Sequence, residues 1–236
     1  SIAMESGQHA DDEPGRARGG RCWVAIGVLL AMAAPLRAQE VASPDRNVVV
    51  TVTLDEGKPA YAVTYKGRSF LERSPLGLES SIGSFASGLG AAGSQVKPLD
   101  ETYTLPHGKV REVHYRANEL TCRFTNAQND ALEVIFRVSD RDVALAYRVS
   151  SRSKRRIVIK SEATGFKFPP TATAFVTPQV RWGGGFAASK PSYEEAYYLD
   201  QPVGTKSRPG LGFTFPALFR IGADGWVLLS ETGVSS

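Results

Sequence analysis

Alternation with a period of two dominates this sequence, and it confines the chain to β structure. Val48-Val49-Val50-Thr51-Val52-Thr53-Leu54 is β-branched at nearly every position, which suits a pleated strand buried on one face. Asp55-Glu56-Gly57-Lys58 supplies a turn, and residues 61–65 read as the hairpin partner. Lys66-Gly67-Arg68 turns the chain again into Ser69-Phe70-Leu71. Further strands fit 110–115, 120–125, 132–138, 143–149 and 156–162, with a polar loop at 126–130 and a tight connection at Asp140-Arg141-Asp142. Late strands fit 174–177, 213–221 and 226–230. Beyond residue 38 no stretch of 12 residues carries a helical period. Many short strands separated by turn signals predict an all-β sandwich.

Two stretches resist a strand reading. Residues 80–99 are rich in Gly, Ser and Ala, and residues 179–212 in Gly, Pro and aromatics. Loops of this length in a compact domain are usually functional or disordered. No internal repeat is visible.

The first 38 residues read as a leader. The chain opens on Ser1, with its first methionine at Met4, and is polar to Gly20. Arg16, Arg18 and Arg21 precede an apolar run from Cys22 to Leu36, which ends at Leu36-Arg37-Ala38. A basic start, a short apolar middle and a small residue at the end describe a secretory signal peptide. The run is shorter than the roughly 20 apolar residues a membrane span requires. A buried helix is the competing reading, and the polar Gln39-Glu40 that follows disfavours it. The expectation is a leader over 1–38, a β-sandwich domain over 39–236, and a periplasmic or secreted product with no membrane span once the leader is removed.

The charge balance of +4 excludes little. Basic residues beyond the leader cluster once, at Arg152, Lys154, Arg155 and Arg156, without interleaved aromatics; this predicts a solvated turn and no nucleic-acid partner. Outside the leader the one cysteine is Cys122, in an alternating segment, where a buried small hydrophobe is expected. No Cys/His spacing suggests zinc. No phosphate loop, nucleophile elbow or His-Glu-x-x-His motif is present.

Chemistry concentrates in the second long loop. Arg181-Trp182-Gly183-Gly184-Gly185-Phe186 is followed by Pro191-Ser192-Tyr193-Glu194-Glu195-Ala196-Tyr197-Tyr198. Aromatic rings beside a few polar groups suit the apolar faces and hydroxyls of a sugar. Carboxylates in such a loop also suit calcium, a hard ion that takes several oxygens. A structural alternative stays open: Trp182 and the tyrosines anchor the loop, and Glu194 and Glu195 are solvated. His107 and His114 straddle a turn and read as structural. Asp100-Glu101 and Glu231 are weaker carboxylate groupings; hydrolysis of a glycosidic bond needs two carboxyls at a set separation, and no such pair is legible here.

Several blocks, taken in order, resemble glycoside hydrolase family 97. They are Ser43-Pro44-Asp45 before an alternating strand, Ser74-Pro75-Leu76-Gly77-Leu78, and Asp100-Glu101-Thr102-Tyr103-Thr104-Leu105-Pro106-His107-Gly108-Lys109 followed by Asn118-Glu119-Leu120-Thr121. Ile135-Phe136-Arg137-Val138 with Val143-Ala144 and Tyr147-Arg148, then Pro216-Ala217-Leu218 and Leu229-Ser230-Glu231-Thr232-Gly233-Val234, complete the set. The resemblance implies the N-terminal, galactose-mutarotase-like β-super-sandwich of a calcium-dependent, exo-acting α-glucosidase or α-galactosidase. It implies that the catalytic carboxylates lie on a (β/α)₈ barrel, which alone takes about 250 residues and is absent from this chain. No catalytic residue is therefore expected here, and the chain alone should be inactive. The resemblance carries Glu194 over as a calcium ligand, in the setting Tyr193-Glu194-Glu195-Ala196-Tyr197, with Glu195 as the alternative. Trp182 and Tyr193 become the substrate-binding side chains for an α-linked oligosaccharide, and the barrel becomes an intramolecular partner. The Gly183-Gly184-Gly185 run departs from the more aromatic family pattern. Two rivals remain: a stand-alone carbohydrate-binding or structural sandwich, and a sugar-modifying enzyme needing a His and a carboxylate in one cleft.

Overall fold

The computed structural model describes residues 38–107, 109–151, 156–179, 196–208 and 210–231. The leader up to Arg37, with Cys22, and the basic run 152–155 lie outside the described residues.

The described chain is all β, in four sheets. The first joins β1 (Gln39–Ala42), β2 (Val48–Asp55), β3 (Lys58–Tyr65) and β4 (Arg68–Pro75) in sequence order, every pair antiparallel. Two-residue turns set its registers: Glu56 and Gly57 both have positive φ (50° and 74°), as do Lys66 and Gly67 (49° and 75°). These are the turns whose twist matches that of the flanking strands. At Gly57 a Cβ would also sit 2.9 Å from the Leu89 backbone nitrogen.

The short strands β5 (Leu78–Ser80) and β6 (Gly83–Ser84) come next and form the second sheet with β11 (Ile159–Glu162). Gly77 makes this corner possible. Its φ is +141°, and a Cβ there would lie 2.6 Å from both Ala86 Cα and the Phe85 carbonyl oxygen.

The third sheet is a meander: β7 (Gly90–Thr104), β8 (Glu112–Thr125), β9 (Ala131–Ser139) and β10 (Val143–Ser150). The polar loop at 126–130 and the connection at 140–142 fall where expected. Asn126 Oδ1 accepts from the amides of Gln128 and Asp130, and Ser139 Oγ from those of Arg141 and Asp142.

Two expectations are corrected. Residues 90–99, read as loop, belong to β7. The separate strands at 110–115 and 120–125 are one strand, β8. Its outer half pairs with β7 alone, as a two-stranded ribbon beyond the edge of β9.

The first and third sheets face each other across the core. Val50, Val52, Tyr61 and Val63 meet Leu120, Cys122, Phe124, Leu132, Val134, Phe136 and Val138, all buried. Tyr61 and Phe136 have ring centroids 5.4 Å apart. Cys122 is 1% exposed, and burial pushes its thiol up to about 12, so it is a packing residue and no nucleophile. Residues 163–168 stitch the layers together. Tyr61 Oη donates to the Gly165 carbonyl at 3.1 Å, the Lys167 amide donates to Ser74 Oγ at 2.9 Å, and Tyr147 Oη accepts from the Gly77 amide at 3.1 Å.

The fourth sheet is β12 (Ala172–Pro178), β13 (Tyr198–Pro202), β14 (Phe213–Ile221) and β15 (Gly225–Leu229), in the order β13-β12-β14-β15. Ala172 and Ile221 join the main core, and Phe219 stacks on Phe168 at 4.1 Å. β13 lies inside the stretch 179–212 that the sequence leaves without strands.

Asp45 organises the turn before β2. Its carboxylate accepts from Ser43 Oγ at 2.6 Å, from the Asn47 amide at 2.9 Å and from Asn47 Nδ2 at 2.6 Å. The Ser43 bond first, then the Asn47 amide, lowers the carboxyl from an ordinary 3.8 to about 2. A depressed folded-state value contributes stability that is present above the unfolded pKa and lost as pH falls through the folded one. Asp45→Asn should therefore lower the urea midpoint at neutral pH, and the difference from the parent chain should vanish between about pH 4 and pH 2. A difference that persists at pH 2 would assign the effect to turn geometry instead of charge.

Candidate functional site

The long aromatic loop leaves the fourth sheet at the end of β12 and returns at the start of β13. Its two ends are neighbours in that sheet, with Val176 paired to Tyr198. The exit is pinned by the Gln179 amide, which donates to the Gly212 carbonyl at 3.0 Å. The return is pinned by Tyr198, whose ring meets Phe213 edge-on at 5.4 Å and whose hydroxyl accepts from the Arg208 amide at 2.9 Å. Trp182, Tyr193, Glu194 and Glu195 themselves lie outside the described residues. The sheet therefore defines the base from which the loop springs.

Beside that base lies an apolar cavity of about 330 Å³. Phe166, Phe168, Phe213, Phe215 and Phe219 line it, with Gln201, Thr205 and Thr214 as polar side chains. Among the described residues no carboxylate lines it. It can hold an apolar side chain or a ring face, and the described residues around it offer no acid or base with which to break a bond.

The opposite face of the same sheet is organised in two rows. In one, Thr173, Arg220 and Trp226 are register partners. Asp200 closes that row, accepting from Thr173 Oγ1 at 2.5 Å and from Arg220 Nη2 at 2.6 and 2.8 Å. In the other, Phe175, Leu218 and Leu228 are partners, and Phe175 leans on Trp226 at 5.3 Å. Sequence reasoning missed this face, because its residues come from strands about 20–50 positions apart; the unbroken apolar run Trp226-Val227-Leu228-Leu229 was the available signal.

Among the described residues no three His, Cys, Asp or Glu side chains gather as a metal site. Elsewhere among the described residues the one buried acidic side chain is structural. Glu119 is 6% exposed. Burial would raise its pKa, but hydrogen bonds from Arg137 at 2.7 Å and Lys97 at 3.0 Å prevail and hold it below the usual carboxylate range. His114 does meet a carboxylate: its Nε2 is 3.1 Å from Asp100 and its Nδ1 3.1 Å from Thr102 Oγ1. Both His114 and Asp100 are exposed on the open ribbon, without the cleft a sugar-modifying acid–base pair requires. His107 sits at the ribbon tip with Pro106 and Arg111 around a second, open hollow of about 230 Å³.

A family model described as "Glycosyl-hydrolase 97 N-terminal" matches residues 41–236. A solved structure described as a beta-arabinopyranosidase is 47% identical and superposes with a TM-score of 0.79 over 83% of this chain and 32% of that one. A glycoside hydrolase family 97 enzyme from Pseudoalteromonas sp. strain K8, solved in complex with acarbose, is 26% identical, with a TM-score of 0.55 over 60% of this chain and 22% of its own. A Streptomyces bingchenggensis (strain BCW-1) protein named "Probable retaining alpha-galactosidase" is 31% identical over 114 residues, 48% of this chain and 18% of the relative. The chain thus spans from under a fifth to about a third of the length of these relatives.

Proposed function

The chain belongs to glycoside hydrolase family 97, whose N-terminal domain it carries over residues 41–236, and on that premise we propose that it is the non-catalytic part of an exported, exo-acting glycosidase. The observation that carries the substrate class is the 47% identity to the beta-arabinopyranosidase, joined by the likeness to the alpha-galactosidase-named protein. A β-L-arabinopyranoside and an α-D-galactopyranoside share their configuration at every ring carbon and differ by the exocyclic hydroxymethyl group. Both have an axial C4 hydroxyl, where a glucoside has an equatorial one. The substrate is therefore a terminal pyranoside of galacto configuration, within an α-linked or equivalently configured oligosaccharide.

In this reading the domain binds and orients, and bond cleavage belongs to carboxylates outside it. Trp182 and Tyr193 supply the rings that meet the sugar, and the pairing of β12 with β13, which brings the residues before and after that stretch together, supports one shared site. Glu194 supplies one oxygen to a calcium ion, and since the ion takes six to eight oxygens the barrel contributes the others. When bound, calcium orients the sugar and polarises the departing oxygen.

The test begins with the coding sequence downstream of the Ser236 codon, which should continue for roughly 250 residues or more of strand–helix alternation. The full-length protein should favour galacto-configured aryl pyranosides over the α-glucopyranoside by roughly 10²-fold or more in kcat/KM. The 236-residue chain alone should turn over neither. An immediate stop codon would support a stand-alone binding module, and a preference for the glucoside would overturn the substrate class.

A further inference from the structure

The apolar cavity on the fourth sheet has a fixed floor and an open rim. In the floor Phe168, Ala174, Val176 and Ala217 are buried, and Phe219 stacks on Phe168 at 4.1 Å. On the rim Phe166, Val203 and Phe215 are 39%, 40% and 42% exposed, so a ligand can enter. An apolar cavity of about 150 Å³ takes one benzene; at about 330 Å³ this one takes two fused rings. It suits a second sugar poorly. A pyranose brings several hydroxyls, each of which costs free energy when buried without a partner. The polar side chains of the lining are already engaged nearby. Thr205 Oγ1 donates to the Pro202 carbonyl at 2.7 Å, Thr214 Oγ1 to the Thr177 carbonyl at 3.5 Å and Gln201 Nε2 to the Leu199 carbonyl at 2.9 Å. Both threonine hydroxyl protons are thereby used.

We propose that this cavity binds the leaving group of the substrate, and that the leaving group it selects is an aromatic alcohol of one or two fused rings. The proposal rests on the reading of the chain as part of a glycosidase for galacto-configured pyranosides, and it adds aryl pyranosides to the oligosaccharides as substrates. Position supports it. The floor is carried by β12 and β13, the strands that precede and follow Trp182 and Tyr193 in sequence, and Val176 in that floor pairs with Tyr198. A sugar recognised by that stretch has an open apolar recess on the same sheet for the group it is attached to. Chemistry supports it as well. Five phenylalanine rings line the recess, and pairs of aromatic rings gain more than their buried area alone provides. Among the described residues no charged side chain lines it, so a neutral ring enters without desolvating a charge.

Competitive inhibition of the full-length enzyme tests this with two uncleavable probes, 2-naphthyl and methyl 1-thio-α-D-galactopyranoside. The naphthyl compound should bind about 30-fold or more tightly, the gain expected when a double ring leaves water. Two variants should cut that advantage to about threefold or less by removing the same burial. Ala217→Phe fills the floor, and Val203→Asp sets a charge on the exposed rim, away from the packed core. An advantage that survives in Val203→Asp and in any folded Ala217→Phe overturns the proposal, because the ring then sits elsewhere. A thio-linked galactosyl glucose that binds as tightly as the naphthyl compound, and weakens in the same variants, overturns it in favour of a second sugar. Activity separates the two claims. Equal binding of both probes by an enzyme that hydrolyses galacto-configured pyranosides sinks the leaving-group assignment and leaves the functional reading standing. Absence of any glycosidase activity sinks the reading and the assignment with it.

Discussion

Phe136→Ala is expected to destabilise the folded chain by about 3–5 kcal/mol, the usual loss when a buried aromatic ring is deleted. Phe136 sits at the middle of β9, is 0% exposed and meets Tyr61 across the sandwich. Its neighbours are fixed by two sheets at once. β9 is held between β8 and β10, and Tyr61 is tethered through its hydroxyl to Gly165. Neither layer can collapse into the vacated volume, so the loss should fall at the upper end of that range. Against a total stability of about 5–15 kcal/mol this is a third or more. The measurement is the urea midpoint at neutral pH. Phe215→Ala, at a ring 42% exposed, serves as the comparison and should cost about 1 kcal/mol or less. A Phe136→Ala loss no greater than that of Phe215→Ala would show that the two sheets do not share one core.

The second large effect concerns Glu194. In the full-length enzyme Glu194→Gln should weaken calcium binding by about an order of magnitude or more, since ligand charge count is what sets calcium affinity. Activity should fall in parallel and recover in part at high calcium. If the proposed role holds, the melting temperature of the calcium-free protein should stay that of the parent, because the exchange removes a charge and keeps the size of the side chain. Calorimetric titration with calcium reads the first effect and hydrolysis of an aryl galactopyranoside the second. If Glu194→Gln changes neither while Glu195→Gln changes both, the ligand is the neighbouring carboxylate. If neither variant changes either, calcium does not draw on this loop.

The hairpins of the first sheet were legible because their signals are local. Glu56-Gly57 and Lys66-Gly67 specify turns by themselves, and alternation in β2 follows directly from one buried face. β7 was not legible, for the opposite reason. Nearly all of Gly90–Thr104 is exposed on both faces, so no alternation marks it, and its strand character comes from pairing with β8. β13 carries Asp200 and Pro202, both poor strand formers, and is specified by its partner β12. The site is harder still. Residue chemistry made Trp182, Tyr193 and Glu194 conspicuous, but they lie outside the described residues. The pairing of Asp200 with Arg220 and the outward row of Phe175, Leu218 and Leu228 arise only when four strands are set side by side.

The bond from Tyr61 to Gly165 joins positions 104 residues apart. A growing chain emerges at about 5–20 residues per second, so roughly 5–20 s separate the synthesis of its two ends. The third sheet that covers the valine-rich face of the first emerges within that interval, and until it does the face has no lid. During that interval the exposed face is open to pairing with a wrong neighbour, so the yield of folded domain should respond to the rate of synthesis as well as to its final stability.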